Sequence, residues 1–314
     1  MKRFLQQNSP LVILAVLCIF FAVASESFRD VNNLQQVALR TCVIAIMAVG
    51  QVLVILTAGI DLSVGSVVAL SGVVAAITMK DLGAPVPVGV VAGTATGLVC
   101  GTINGTLSAK LRIPPFIVTL GMMMAARGLA LIIADAQPIF GLPENFMYLG
   151  GGKGWWIPVL IMIAIVAVMT VLLSLTRFGR SLYAIGGNLG AARLSGIPTD
   201  RMRIAAFALC GLLAGFAGVM HASYIRLGSP TEAVAYELDA IAACVIGGTS
   251  LMGGQGTAVG AMGGALIMMV LVNICNLNDI SVYWQQVFVG SLIVILVGYD
   301  NWRKYRAGLL KDDA

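Results

Sequence analysis

The chain is poor in charge, in histidine and in every short motif of soluble catalysis. Only 11% of its 314 residues are Asp, Glu, Lys or Arg, against about a quarter in ordinary soluble domains. There is one histidine, His221, with no His or Cys at ligand spacing, which argues against a metal site and reads as a helix-end residue. No GxxxxGK[ST] occurs, so the chain has no phosphate-cradling loop of its own; the glycine clusters at 151–154 and 253–256 lack the Lys-Ser/Thr that would complete one. HExxH, Gly-x-Ser-x-Gly and any Cys/His cluster are also missing. The six cysteines, Cys18, Cys42, Cys100, Cys210, Cys244 and Cys275, lie in apolar stretches and form no CxxC pair. They read as small packing residues.

What remains is apolar sequence. Hydrophobic residues make up 59% of the chain, more than a water-soluble core needs, and the class is a polytopic membrane protein. A spanning helix takes about 20 apolar residues. Candidate spans are 10–25, 37–57, 61–79, 85–108, 115–134, 157–175, 204–222, 238–252, 257–275 and 284–300, the eighth short and broken by glycine. Lys2-Arg3 ahead of Leu11–Ala24 has the outline of a secretory signal, but the spans that follow favour an uncleaved first membrane helix.

Charge placement fits ten spans with both termini inside. Lys2, Arg3, Lys110, Arg112, Arg177, Arg180, Arg193, Arg201, Arg203, Arg303, Lys304, Arg306 and Lys311 fall on one side. Glu26, Asp30, Asp81, Asp135, Glu144, Glu232, Glu237 and Asp279 fall on the other, the positive-inside pattern. The net charge of +5 is therefore a topology signal rather than a nucleic-acid footprint. Two polar loops stand out: 135–156, outside and closed by Trp155 and Trp156, and 176–203, inside.

Gly89, Gly93, Gly97, Gly101 and Gly105 recur every fourth residue, a stripe about 24 Å long on a helix that lets a neighbour approach closely. Shorter stripes are Gly211/Gly215 and Gly260/Gly264. Asn104 lies beside the long stripe and is the residue there that could face a pore.

Polar residues at membrane depth need a reason. Thr57 to Ser66 reads Thr-Ala-Gly-Ile-Asp-Leu-Ser-Val-Gly-Ser between two long apolar runs. Glycine-interrupted backbone persists there only where protein buries it or it lines a cavity. Asp61 either caps the helix after it or, with Thr57 and Ser63, forms a polar wall for a hydroxylated substrate. A looser counterpart, Gly247-Gly248-Thr249-Ser250 then Gly253-Gly254-Gln255-Gly256, lies in the second half; paired interruptions of this kind point to inverted repeats with a substrate region between them. Arg127 lies far from either end of its span. It is expected to pair with Asp61 or to bind backbone carbonyls at a broken helix. The candidate pathway is thus Thr57, Asp61, Ser63, Asn104, Arg127, Thr249 and Ser250. Within 186–198, Ala191–Ser195 suits a short helix stopped by Gly196, a knob for an internal partner.

Val54-Ile55-Leu56-Thr57-Ala58-Gly59-Ile60-Asp61-Leu62-Ser63-Val64-Gly65-Ser66 resembles the signature of ribose-type sugar ABC importer permeases, within the branched-chain amino acid/ribose permease superfamily. Further matching stretches are Tyr183–Asn188, Arg193–Gly196, Glu237–Ala243 and Val245–Leu251 followed by Gly253-Gly254. The resemblance covers about Leu34 to Asn301. It implies a single all-α permease domain over 1–314, with about ten transmembrane helices, set in the bacterial inner membrane among lipid. The implied assembly has a second permease copy and a cytoplasmic ATPase with two nucleotide-binding halves, which holds ATP and Mg. A periplasmic sugar-binding protein delivers a monosaccharide, ribose first among pentoses. This chain is then no enzyme and carries no cofactor or nucleic acid. The loop at 176–203 resembles the segment that couples to the ATPase, through Gly187, Asn188, Ala191, Ala192, Arg193, Leu194, Ser195 and Gly196. Leu189 stands where family members often carry Glu. The residues taken alone leave an ion-coupled carrier as the alternative, with a membrane enzyme third.

Overall fold

The computed structural model describes residue 16, residues 19–23 and residues 25–306. The first expected span and the terminal charges Lys2, Arg3 and Lys311 lie largely or wholly outside them, as does Cys18. The described elements are α1 (Glu26–Arg29), α2 (Val31–Leu56), α3 (Val64–Lys80), α4 (Val86–Lys110), α5 (Pro115–Ile133), a 3₁₀ helix (Glu144–Gly150), α6 (Trp156–Leu175), α7 (Arg177–Gly187), α8 (Leu189–Leu194), α9 (Thr199–Ile225), α10 (Tyr236–Ile246), α11 (Ala258–Leu277) and α12 (Val282–Arg306). No strand is present among the described residues; a single antiparallel bridge joins Ile139 and Gly228. The protein is an all-α polytopic membrane protein. Among the described residues six helices, α2, α4, α5, α6, α9 and α11, are long and apolar enough to cross a bilayer.

Sequence chemistry sets the helix ends. Asp30 starts α2 by accepting the N–H groups of Asn32 and Asn33. Pro85 and Pro114 precede α4 and α5, each with proline in the first turn. Thr176 and Thr257 cap α7 and α11 through their hydroxyls. Helix α2 begins six residues before the expected span, and α9 begins at Thr199 rather than 204. The eighth span does not run to 252: its helix stops at Ile246, because Gly247 onward turns back.

Helix α2 forms the centre, with every residue from Thr41 to Leu56 buried by protein. Around it pack α9, α10, α11 and α6, while α3, α4 and α9 pack on one another through small residues. The α4 stripe does what its spacing predicts. A Cβ at Gly97 would strike the Gly211 carbonyl and one at Gly101 the Phe207 carbonyl, while Gly105 faces Ile204 and Gly93 faces Val219. The pairing runs in opposite directions, so α4 and α9 lie antiparallel with their backbones in contact. Gly260 and Gly264 serve α11 in the same way, against Ala243 of α10 and Gly247 just past its end. Backbone approach of this kind gives dispersion and weak hydrogen bonding where lipid supplies no hydrophobic drive.

The loop over 135–156 is folded onto the bundle. Phe146 is fully buried, its carbonyl accepts the Ser223 hydroxyl at 2.6 Å, and Gly150 lies against the Ser223–Tyr224 backbone.

Candidate transport site

The first interruption, between α2 and α3, is a closed polar knot. Thr57 ends α2 by turning its hydroxyl back to the Val54 carbonyl at 2.8 Å. Ala58 follows in the left-handed region, φ 58°. The Asp61 carboxylate accepts the backbone N–H of Ser63 at 2.8 Å and its hydroxyl at 2.6 Å. Asn104 of α4 donates to Ser63 Oγ at 3.0 Å and to the second Asp61 oxygen at 3.4 Å. Ser63 occupies the cap position of α3 but makes no side-chain cap bond, since its hydroxyl proton is committed to Asp61. The Thr119 hydroxyl of α5 lies 2.9 Å from the Pro115 carbonyl of its own helix and 3.2 Å from the Ile60 carbonyl across, sharing its proton between them. Asp61, Ser63 and Asn104 are all essentially unexposed. Asn104 therefore does not face an open pore in this conformation, and Asp61 holds the turn ahead of α3 rather than reaching along its first N–H groups.

The second interruption, 247–257, comes down onto the first. Gly254 donates its N–H to the Leu56 carbonyl at 3.0 Å, and Gly253 sits against Ala58. Within the loop Ser250 N–H bonds the Gln255 carbonyl at 3.0 Å, and Ser250 Oγ accepts Met252 N–H at 3.3 Å. Thr249 is buried, and its hydroxyl has no hydrogen-bond partner among the described residues.

A third element meets the same point. Gly186, near the end of α7, has no room for a Cβ because the Leu56 carbonyl and Gly254 N–H occupy it. Tyr183, one turn earlier, donates its hydroxyl to the Gly256 carbonyl at 2.7 Å. Helix α7 thus touches both interruptions at once. The chain then continues into α8. Asn188 caps it by accepting Ala191 N–H at 2.9 Å, and Gly196, φ 79°, ends the turn after it. Ala192 faces inward, Leu194 is 91% exposed, and Arg193 bonds the Thr199 hydroxyl at 3.0 Å and Asp200 at 3.1 Å. Gly187 has open space around it and Ser195 is exposed. The short helix expected over 191–195 is present, beginning two residues earlier.

Arg127 belongs to a different cluster. Its guanidinium donates to the carbonyls of Pro230 and Glu232, both at 2.7 Å, in the connection between α9 and α10. It makes no ion pair with Asp61. Of the two expected arrangements the backbone-carbonyl one is observed, on a connecting loop rather than at either interruption. Sequence reasoning passed over Glu232 as a partner here. Its carboxylate lies 3.4 Å from His221 Nε2, and this contact, helped by the Arg127 charge, holds its pKa below the usual glutamate value. His221 is buried at the end of α9 and meets the Tyr236 ring edge-on at 5.5 Å. Among the described residues no group of His, Cys, Asp and Glu could hold a metal ion.

Two apolar halves, each interrupted and joined through backbone glycines, with no nucleotide loop, are the framework of a membrane pathway. The family model described as branched-chain amino acid transport system / permease component matches residues 33–297. The chain belongs to this family. This permease is 42% identical over 306 residues to the ribose import permease protein RbsC of Escherichia coli K12, covering 96% of its own length and 95% of that protein. It is 38% identical over 304 residues to the L-arabinose ABC transporter permease protein AraH of Azospirillum brasilense, 95% and 89% covered. It is 34% identical to the xylose transport system permease protein XylH of Escherichia coli K12, 94% and 91% covered. No solved structure matches the permease.

Proposed function

We propose that this protein is the membrane subunit of an ATP-driven importer for a monosaccharide, an aldopentose such as ribose foremost. The observation that carries the reading is the three-way junction of Leu56, Gly254 and Gly186: both interruptions of the membrane helices touch the helix that leads directly into α8. A pathway and the lever able to move it share one contact, and the chain has no phosphate loop to drive either. The relatives named for ribose, arabinose and xylose supply the substrate class. Five-carbon aldoses present hydroxyls that short Asp, Ser, Thr and Asn side chains suit.

In this reading two copies of the chain enclose the path in the bacterial inner membrane, both termini inside. A cytoplasmic ATPase with two nucleotide-binding halves binds ATP and Mg and docks on residues 187–196. A sugar-binding protein delivers from outside, where Arg127 braces the 226–235 connection. Thr57, Asp61, Ser63, Asn104, Thr249 and Ser250 flank the path, closed in this state, and open only when ATP binding in trans favours another conformation. The chain itself performs no chemical conversion.

The test is uptake of labelled ribose, arabinose and xylose into proteoliposomes holding this chain, its ATPase and its binding protein. Uptake should require ATP and survive ionophores. Uptake without ATP that collapses with the ion gradient would establish the ion-coupled carrier instead.

A further inference from the structure

Where α4 ends and α5 begins, a cavity of about 300 Å³ opens between that turn, α8 and the first turns of α9. Three cations line it, Arg112, Arg193 and Arg203, together with Ser108, Ile113 and Leu189. One carboxylate answers them: Asp200, already held by Arg193 at 3.1 Å. Among the described residues, Arg112 and Arg203 form no ion pair.

Two orphaned donors mark the same place. Arg203 Nε is buried with no acceptor, and so is the hydroxyl of Ser108, which is 1% exposed. A serine inside a helix ordinarily turns to the carbonyl four residues back, as Thr96 and Thr102 of the same helix do at 2.9 and 2.7 Å. Ser108 does not. Buried polar groups without partners cost free energy in proportion to their charge, so donors from two helices left unmatched at one cavity indicate an absent acceptor with several oxygens. Guanidinium groups bind phosphate through paired N–H bonds.

The surroundings select the kind of phosphate. The cavity sits at the ends of two membrane-length helices, the depth of lipid headgroups. Leu111, Phe116 and Ile117, next in sequence to the lining residues Arg112 and Pro115, are exposed, apolar surface that an inorganic ion would leave bare. Basic pockets between membrane helices at this depth suit acidic headgroups. We propose that this cavity binds the phosphate group of an anionic phospholipid. Arg112, Arg203 and the Ser108 hydroxyl hold the headgroup, and its chains run past Leu111 onto the start of α5. Because Leu189 and Arg193 form one wall, the bound lipid fixes the posture of α8.

The experiment is native mass spectrometry of the full-length protein in detergent, titrated with phosphatidylglycerol and with phosphatidylcholine, with inorganic phosphate in a parallel series. Phosphatidylglycerol should be retained preferentially, and Arg112→Gln or Arg203→Gln should each weaken retention about fivefold, Ser108→Ala less. Should Arg203→Gln fold poorly, Arg112→Gln, on an exposed turn, carries the test alone. Equal retention of the two lipids, or variants that keep phosphatidylglycerol as well as the parent, would overturn the proposal. So would inorganic phosphate binding without lipid preference, which assigns the arginines to a free ion. Unchanged lipid retention with lost ATPase assembly would also overturn it, since the arginines would then serve a carboxylate of that partner. The readout is lipid retention, so failed sugar uptake would not affect it.

Discussion

Gly254 and Leu56, 198 positions apart in the chain, share one backbone hydrogen bond of 3.0 Å. It is the bond by which the second interruption is set upon the first, and Gly186 closes it from the third side. Neither partner uses its side chain, so the link depends on how closely three stretches of backbone approach.

That makes Gly186 the sharpest probe of coupling. Gly186→Val places carbon where the Leu56 carbonyl and Gly254 N–H now lie and pushes α7 off both interruptions. The variant should insert and still hydrolyse ATP with its partner. Its sugar-stimulated rate should fall roughly 2- to 30-fold, measured on the reconstituted complex. A full stimulated rate would remove α7 from the coupling route.

The α4–α9 contact is a stability feature and should respond as one. Gly101→Leu drives a side chain into the Phe207 carbonyl and should cost about 1–3 kcal/mol or more, seen as a lower thermal midpoint in detergent. Gly121→Ala on α5, with nothing within 4 Å, should be neutral or slightly stabilising, because alanine favours a helix by about 0.5–1 kcal/mol over glycine.

The Asp61 knot separates structure from pathway. Asp61→Asn keeps an acceptor for Ser63 and should assemble. Asp61→Ala strands the buried Ser63 N–H and Ser63→Ala removes the shorter of the two bonds the Asn104 amide makes, each at a cost of about 1–3 kcal/mol, and both should lower the yield of folded protein. Normal assembly of Asp61→Asn with lost uptake supports a role for the carboxylate in transport. Failed assembly supports a purely structural one.

Arg127→Ala removes two charge-assisted bonds to the 226–235 connection. Amide exchange of that segment should accelerate about tenfold or more, given roughly 1.5–3 kcal/mol for a hydrogen bond to a charged group. A variant with unchanged exchange and unchanged uptake would end the bracing role.

Acid should loosen the same connection. The Glu232 carboxyl is lowered by His221, so its ionised form stabilises the folded state. That contribution is complete above its ordinary value of 4.5 and disappears as pH falls through the lowered folded value. Thermal stability of the parent should drop more steeply below about pH 4.5 than that of Glu232→Gln; parallel curves would contradict the assignment.

Much of this was legible in sequence because membrane packing leaves periodic marks. Gly89 to Gly105 announced a close helix partner, and Gly211 and Gly215 marked a second stripe, but that the two stripes face each other is seen only in the structure. Asp61 and Thr249 announced interruptions, since a polar group amid apolar runs is too costly in lipid to persist on an unbroken, lipid-facing helix. The contacts that complete the site were not legible. Leu56, Gly186 and Gly254 meet through backbone atoms, which carry no sequence signal, and Asn104 turned inward because Ser63 needed a donor. Arg127 found carbonyls instead of Asp61, a choice set by the path of a loop. The amphipathic α7 hid inside a polar stretch, and although the glycines that break the eighth span were marked, its helix ends at Ile246 rather than at 252.

Helix α2 has a consequence for biogenesis. Its final neighbours are almost all protein, and a helix so sheathed has no need of lipid solubility once the bundle is complete. Its sequence is nevertheless strongly apolar, with Thr41 and Gln51 as its only fully buried polar side chains. It is built for an earlier stage, when it crosses the bilayer before α6, α9, α10 and α11 exist to enclose it. The composition of the innermost helix therefore records the solvent of insertion rather than that of the finished permease.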